Sequence, residues 1–175
     1  MENRETIIKS SIGYIAELMA SSAITAPKTK GMDDIDVKIM YRSEFEKIAK
    51  KMEAIGKRDN LQFFIRDAGN LRNSDAIVLI AIKTVRADIR NCNLCDYDDC
   101  SDNLKHNSIC TFNIIDAGIA IGSAVSIASK FNVDNRIMYS VARAVNELNI
   151  FERNIKCIVG IPLSINNKNI FFDRK

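Results

Sequence analysis

Four of the five cysteines fall within residues 91–110, at Cys92, Cys95, Cys100 and Cys110. This segment has neither the period of a helix nor the alternation of a strand, and several aspartates make it acidic. Because thiolates are soft metal ligands, such a density of cysteine predicts an insert at 91–110 that is built around a metal centre. We expect no disulfide framework, because the cysteine count is odd and the sequence opens without an export signal.

The spacing of these cysteines, C-x2-C-x4-C-x9-C, helps to distinguish between metal centres. Two cysteines that are two residues apart can turn toward one centre, and the two later cysteines can wrap it. Zinc ribbons more often use two C-x2-C pairs that a longer stretch separates. The single pair followed by C-x4-C favours a four-iron four-sulfur cluster, with a zinc site and four unrelated thiols as the alternatives.

The rest of the chain has the pattern of an α+β protein. Apolar residues at three- and four-residue spacing predict helices over 4–23, from a capping box at 43–46 to Gly56, over 112–130, and after Asp134. Short apolar runs predict strands at 35–39, 63–65, 76–82 and 155–162, with 76–82 buried in the centre of the sheet. We therefore expect one domain over 1–175, with about four strands and four helices.

The predicted helix at 112–130 consists almost entirely of small and apolar residues. It carries more apolar surface than a monomer of this length easily buries, which predicts a homodimer. Asp116 interrupts it, so we expect a buried helix and no membrane span, with Asp116 either functional or hydrogen-bonded to a backbone amide. Cys157 lies in the apolar run at 155–162 and is expected to be a buried small side chain without a ligand role.

Charge and composition exclude several classes of function. The net charge is only +3, and no basic stretch is interleaved with aromatic residues, so we expect no nucleic-acid partner. A single histidine argues against a Ser-His-Asp triad, and no catalytic residue is assigned. The N-terminus lacks the layout of a secretory signal, which predicts a cytoplasmic protein.

Six stretches of the sequence carry a resemblance to a known family: TAPKTKGMDDI, FFIRDAGNLRNSDAIVLI, NCNLCDYDDC, FNIIDAGIAIGSAV, VDNRIMYSVARA and VGIPLSINNKNIFFDR. Together they resemble the uncharacterised ferredoxin-domain-containing proteins of anaerobic bacteria and archaea, over essentially all of the chain. The resemblance implies a four-iron four-sulfur cluster and does not identify a substrate.

Three further motifs are similar to those of nitroreductase-like flavoproteins. They are Ala26-Pro27 with Gly31, Asp116-x-Gly118-x-Ala120, and Gly160-Ile-Pro162, in that order along the chain. This similarity implies an α+β sandwich, a dimer, and FMN at the dimer interface. It predicts a flavin site at which Lys28, Lys30, Gly31 and Gly160 lie near one pocket, because backbone amides and lysines suit a phosphate.

The sequence therefore predicts an iron–sulfur protein that acts in electron transfer with a redox partner protein. Its predicted ligands are Cys92, Cys95, Cys100 and Cys110. Two alternatives remain: an FMN-dependent, nitroreductase-like oxidoreductase that receives electrons from the cluster, and a zinc-stabilised binding module.

Overall fold

The computed structural model describes residues 2–32, 34–152 and 155–172, so the two ends of the predicted domain, Met1 and Lys175, lie outside the described residues. Within them, an antiparallel sheet of four strands is covered by helices on both faces. The strands are β1 (Ile35–Tyr41), β2 (Ala76–Lys83), β3 (Asp134–Asn135) and β4 (Ile155–Ser164), in the order β1-β2-β4-β3. The α-helices are α1 (Arg4–Thr25), α2 (Phe45–Arg58), α3 (Gln62–Arg72), α4 (Cys100–Lys105), α5 (Thr111–Lys130) and α6 (Tyr139–Glu147).

Strand β2 is the centre of the sheet, as its unbroken apolar run predicts. Ile80 lies opposite Val37 of β1 and Val159 of β4. Because side chains alternate along a strand, one set from β2 packs under α1 and α5, and the other packs under α2, α3 and α6. A strand that is buried on both faces must be apolar at every position, which accounts for its sequence.

Helices α1 and α5 form the layer on one face. Small side chains line their contact, including Ala16 and Ala23 of α1 and Ala120, Ala124 and Ala128 of α5. By length and composition α5 could cross a membrane, a test that the core helices of soluble proteins also pass. Its alanines pack against α1 and the sheet, whereas Ile114, Ile115 and Ile119 are exposed, so core packing accounts for the composition of one side of the helix only.

The opposite layer corrects the prediction of a strand at 63–65, because this stretch belongs to helix α3. Phe64 and Leu71 are buried at helical spacing, whereas Phe63 is exposed. Gly56 was expected to end α2, but the helix continues to Arg58. A Cβ atom at Gly56 would lie 2.9 Å from Ile65 Cγ1, so this glycine allows α3 to approach α2 closely.

Two predicted helix starts are also wrong. Asp134 does not cap a helix but pairs with Ser164 in the short strand β3, and α6 begins only at Tyr139. The predicted capping box that begins at Ser43 is not the one that forms before α2. The capping hydrogen bond runs from Tyr41 N to Glu44 Oε2, at 2.9 Å. At Asp134 the chain stays extended for longer than the capping signal indicates, whereas Ser43 already lies within a 3₁₀ turn at 42–44 that precedes α2.

Candidate metal centre

The cysteine segment, residues 91–110, connects β2 to α5. Cys100 is the first residue of α4, and Cys110 is the residue that precedes the first turn of α5. Asp99 caps α4 by accepting a hydrogen bond from Asp102 N at 2.8 Å, so the segment contains a short helix that its sequence did not reveal. All five cysteines are free thiols; Cys110 is buried and the others are half-buried.

A hydrogen-bond network centred on the buried side chain of Asn103 holds this segment. Arg86 Nε donates to Asn103 Oδ1 at 3.2 Å, and Asn103 Nδ2 donates to Ile109 O at 3.3 Å. Arg86 Nη2 also donates to Ser108 O at 3.2 Å, and Ser108 Oγ lies 2.7 Å from the Tyr97 hydroxyl. Polar contacts of the segment with itself and with Arg86 therefore fix its path.

Two interactions relate parts of the cysteine segment to one another. Thr111 Oγ1 donates to Leu94 O at 3.1 Å, which ties the C-x2-C turn to the residue after Cys110. Loss of water is the main cause that raises the pKa of the Cys100 thiol above its ordinary value. A backbone hydrogen bond from Asp88 lowers this pKa by less, and the charges of Asp88 and Cys110 raise it. Cys100 and Cys110 are thus neighbours, and the C-x2-C turn lies beside Cys110.

The type of donor and its arrangement allow the fit of a metal group to be tested. In the described part of the chain, no three His, Cys, Asp or Glu side chains converge closely enough to hold one metal ion. A tetrahedral zinc ion with bonds of about 2.3 Å requires sulfur atoms about 3.8 Å apart. A four-iron cluster binds one thiolate at each iron and so holds its ligands farther apart. Four thiols on one segment fit such a cluster by the chemistry of their sulfur donors.

The predicted flavin residues of the 26–31 turn already have partners. Lys28 Nζ donates to Ala26 O at 3.0 Å and also to Ile24 O, near the end of α1. Lys30 Nζ donates to Ala87 O at 3.0 Å, next to the Asp88 that contacts Cys100. Lys30 and Gly31 both have positive φ angles, as a tight turn requires. The lysines therefore fasten the turn to α1 and to the approach of the cysteine segment.

Asp116 is explained by the same turn. Its carboxylate is buried and accepts hydrogen bonds from Thr29 N at 3.0 Å and from Thr29 Oγ1 at 3.0 Å. Of the two interpretations of Asp116, the structure supports the hydrogen-bonded carboxylate, with the hydroxyl of Thr29 as a second donor.

Gly160 is not brought together with Lys28, Lys30 and Gly31. It lies in the middle of β4, and a Cβ atom there would meet Val141 of α6, on the face opposite to the 26–31 turn. An open cavity of about 520 Å³ beside the turn is lined by residues 24–28 with Gly31 and Met32, and not by Gly160. The single pocket expected from both segments is thus not formed by these residues within one chain.

Sequence reasoning missed Arg86 and Asn103, which fix the cysteine segment, and a buried pair formed by Asp34 and Asn113. Asn113 Nδ2 donates to Asp34 Oδ2 at 2.9 Å, across 79 positions of sequence. Each of these residues is a common polar type in a polar or mixed stretch. No period or motif marks them, because their partners are set only by the tertiary fold.

Comparison with known sequences identifies the family. A family model described as an uncharacterised protein containing a ferredoxin domain matches residues 106–174, which include Cys110 and begin after Cys100. An uncharacterised protein of Archaeoglobus fulgidus is 38% identical over 180 residues, covering 98% of this chain and 96% of the relative. The chain belongs to this family of ferredoxin-domain proteins.

Comparison with solved structures identifies the fold. The nitroreductase CinD of Lactococcus lactis, in complex with nicotinic acid, has a TM-score of 0.63 at 9% sequence identity. The match covers 96% of this chain and 81% of CinD. A BluB-like flavoprotein of Clostridium difficile has a TM-score of 0.58 at 17% sequence identity. The match covers 89% of this chain and 81% of the flavoprotein. A nitroreductase of Desulfitobacterium hafniense with bound FMN has a TM-score of 0.58 at 12% sequence identity. The match covers 96% of this chain and 80% of the nitroreductase. These similarities confirm the predicted nitroreductase-like sandwich.

Proposed function

We propose that this ferredoxin-domain protein binds one four-iron four-sulfur cluster through Cys92, Cys95, Cys100 and Cys110 and acts in electron transfer. The observation that carries the proposal is the cysteine segment itself: four free thiols lie on one segment, which the Asn103 network and the Leu94–Thr111 hydrogen bond hold against α5. When bound, such a cluster supplies a site that gains and loses one electron reversibly.

The surroundings of the thiols suit a negatively charged group of this kind. Cys110 lies at the N-terminus of a helix of 20 residues, whose dipole stabilises negative charge at that end. The carboxylates of the segment oppose the addition of an electron and so favour a low reduction potential. The same acidic surface suits a basic redox partner; it is formed by Asp96, Asp98, Asp99 and Asp102.

The test is anaerobic purification followed by an absorption spectrum and by assays of iron, acid-labile sulfide, zinc and flavin. We expect about four irons and four sulfides per chain. One zinc per chain without sulfide would contradict the cluster and would support the zinc-stabilised binding module.

A pair of cysteine variants assigns the ligands. Cys95→Ser removes a proposed ligand and should abolish the visible absorbance and most of the iron. Cys157→Ser is the matched control, because Cys157 is a half-buried thiol of β4 whose pKa is raised by burial. It should retain the iron of the unchanged protein. Equal loss of iron in both variants would refute the assignment.

The second candidate is an FMN-dependent oxidoreductase that receives electrons from the cluster. The likeness of fold to a nitroreductase with bound FMN supports it. We rank this oxidoreductase second for two reasons. Lys28 and Lys30 donate to backbone carbonyls, and Gly160 lies on the other face of the sheet. Flavin released by heating the same preparation decides: one FMN per chain would favour the enzyme, and its absence would leave the electron carrier.

We further propose that the chain forms a homodimer through the outer face of α5. Three large apolar side chains are exposed on this helix: Ile114, Ile115 and Ile119. A Cβ atom at Gly118 or Gly122 would meet nothing within 4 Å, so a second helix has room to approach there. The five free thiols suit the reducing cytoplasm, which is the location we propose.

A further inference from the structure

Two buried polar side chains lie beneath the first turn of α5. Asp34 precedes β1 and is 0% exposed, and Asn113 of α5 is 2% exposed. Their side chains share one hydrogen bond, from Asn113 Nδ2 to Asp34 Oδ2 at 2.9 Å. Asn113 N also donates to Cys110 O at 3.0 Å, so the pair is fixed to the turn that carries Cys110.

Each member of this pair retains one buried oxygen without a partner, Asp34 Oδ1 and Asn113 Oδ1. A buried polar atom without a hydrogen bond costs about 1–3 kcal/mol. Both atoms are acceptors, and an ionised carboxylate has no proton to donate. An ionised Asp34 therefore cannot satisfy either oxygen, whereas a proton on the carboxyl group creates the donor that is missing.

We propose that Asp34 carries a proton at neutral pH and forms a neutral acid–amide pair with Asn113. In this pair Asn113 Nδ2 donates to Asp34 Oδ2, and the proton on Asp34 Oδ1 is donated to Asn113 Oδ1. One proton then satisfies both unpartnered oxygens and removes a negative charge from the interior. The inference rests on these two residues and does not depend on a cluster.

A water molecule or a metal ion explains the two oxygens less well. The small cavity that Asn113 lines with Ile82, Ile109 and Ile114 has no room for a water molecule. Hard cations require about six oxygen ligands, and the described residues offer no site with three His, Cys, Asp or Glu side chains. A proton requires only the two oxygens that are present.

The surroundings of Asp34 shift its pKa in the direction that favours the protonated form. Burial is the main cause that raises the pKa of Asp34 above its ordinary value of 3.8, and the Asp116 carboxylate of α5 raises it further. The hydrogen bond from Asn113 and the charge of Lys28 lower this pKa by less. Of the nearby lysines, Lys30 Nζ is bound to Ala87 O, and Lys83 contributes its backbone N–H to Asp34 O. Asp33 lies outside the described residues.

The sign of the expected pH effect follows from this direction. Because the pKa of Asp34 is higher in the folded chain than in the unfolded chain, folding takes up a proton. The stability contributed by the pair is complete below about pH 4 and is lost as the pH rises through the folded pKa. The pair makes Asp34 a positioning residue for the first turn of α5.

The test compares Asp34→Asn with the unchanged protein by thermal unfolding between about pH 4 and about pH 8. The amide keeps the shape of the neutral acid and donates in its place, but it does not titrate. We subtract the melting temperature of the unchanged protein from that of the variant. We expect this difference to rise by about 3–5 °C for each pH unit of increase, up to the folded pKa of Asp34. Asp36→Asn, two residues away in β1, is the control and should show no such gain.

Infrared spectroscopy of the unchanged protein, labelled with ¹³C in its aspartate carboxyl groups, gives a second readout that needs no variant to fold. We expect a carboxylic-acid carbonyl band at neutral pH that shifts on labelling, and that is lost in Asp34→Asn. Absence of this band in the unchanged protein, or its survival in the variant, would overturn the proposal. So would a melting difference between the two proteins that does not change with pH.

Discussion

Replacement of Gly160 by alanine should destabilise the protein, because Gly160 packs directly against helix α6. A Cβ atom at this position would lie 2.5 Å from Val141 Cγ1, 2.7 Å from Val141 Cβ and 3.2 Å from Ile77 Cδ1. Neither side can move away easily. Gly160 exchanges backbone hydrogen bonds with Met138 at 2.8 Å and 3.3 Å and lies opposite Leu79, and Val141 is fully buried in α6.

The magnitude follows from the contact. Overpacking of a core by one methyl group costs about 1–3 kcal/mol, and a β-branched neighbour on a fixed helix puts this site in the upper half of that range. Alanine also lowers the conformational entropy of the unfolded chain, which stabilises the folded protein by about 0.4–1 kcal/mol and offsets part of this cost. We therefore expect Gly160→Ala to lower the free energy of unfolding by about 2 kcal/mol, as measured by urea denaturation of reduced, metal-free protein.

A double-mutant cycle with Val141→Ala tests whether this contact is the cause. Val141→Ala alone removes two buried methyl groups and should cost about 2 kcal/mol. In the double variant the new methyl group occupies the space that the valine leaves, so the combined loss should be at least about 1 kcal/mol smaller than the sum. Gly69→Ala in α3, where a Cβ atom meets nothing within 4 Å, should instead stabilise by about 0.5–1 kcal/mol. Additive losses, or a loss below about 0.5 kcal/mol for Gly160→Ala, would refute the reasoning.

Two further predictions concern the faces of α5. Asp116→Ala leaves the N–H of the half-buried Thr29 without its acceptor and should lower the free energy of unfolding by about 1–2 kcal/mol in urea; an unchanged midpoint would contradict this role. Ile115→Asp with Ile119→Asp should convert the proposed dimer to a monomer in sedimentation experiments, whereas Ile137→Asp, an equally exposed isoleucine outside this helix, should leave it unchanged. A monomeric unchanged protein would remove the dimer proposal.

Elements with long, repeated patterns could be predicted from the sequence. Strand β2 is apolar at seven consecutive positions, and such a run fits few places other than a sheet buried on both faces. Helix α5 has small residues at helical spacing over most of its 20 residues. Each position repeats the same signal, so no single neighbour decides the structure.

Elements decided by one or two contacts could not be predicted. The three apolar residues that suggested a strand at 63–65 suit either structure, and the close approach at Gly56 favours the helix. Asp134 is a good helix cap by residue type, but its backbone pairs with Ser164, far along the chain. In each case a tertiary partner overrides a local preference of small energy.

The candidate site divides in the same way. The assignment of Cys92, Cys95, Cys100 and Cys110 as ligands rests on residue type and local spacing, and it stays a prediction. The side chains that position the cysteine segment, Arg86 and Asn103, were not predicted, because a polar residue in a polar stretch carries no sign of its partner. Local composition suggested that Lys28 and Lys30 bind an anion, and their backbone carbonyl partners could not be foreseen because the fold supplies them.

One face of α5 connects these findings. Cys110, Asn113 and Asp116 are spaced by three residues, so they follow one another along the buried side of the helix. Cys110 carries the proposed cluster ligand, Asn113 binds Asp34, and Asp116 binds the turn at Thr29, whose neighbour Lys30 reaches back to Ala87 before the cysteine segment. The segment is therefore fastened at its start through the turn and at its end through α5. A long loop anchored at both ends to one rigid helix loses little further conformational entropy when its thiols bind a metal group, which favours binding.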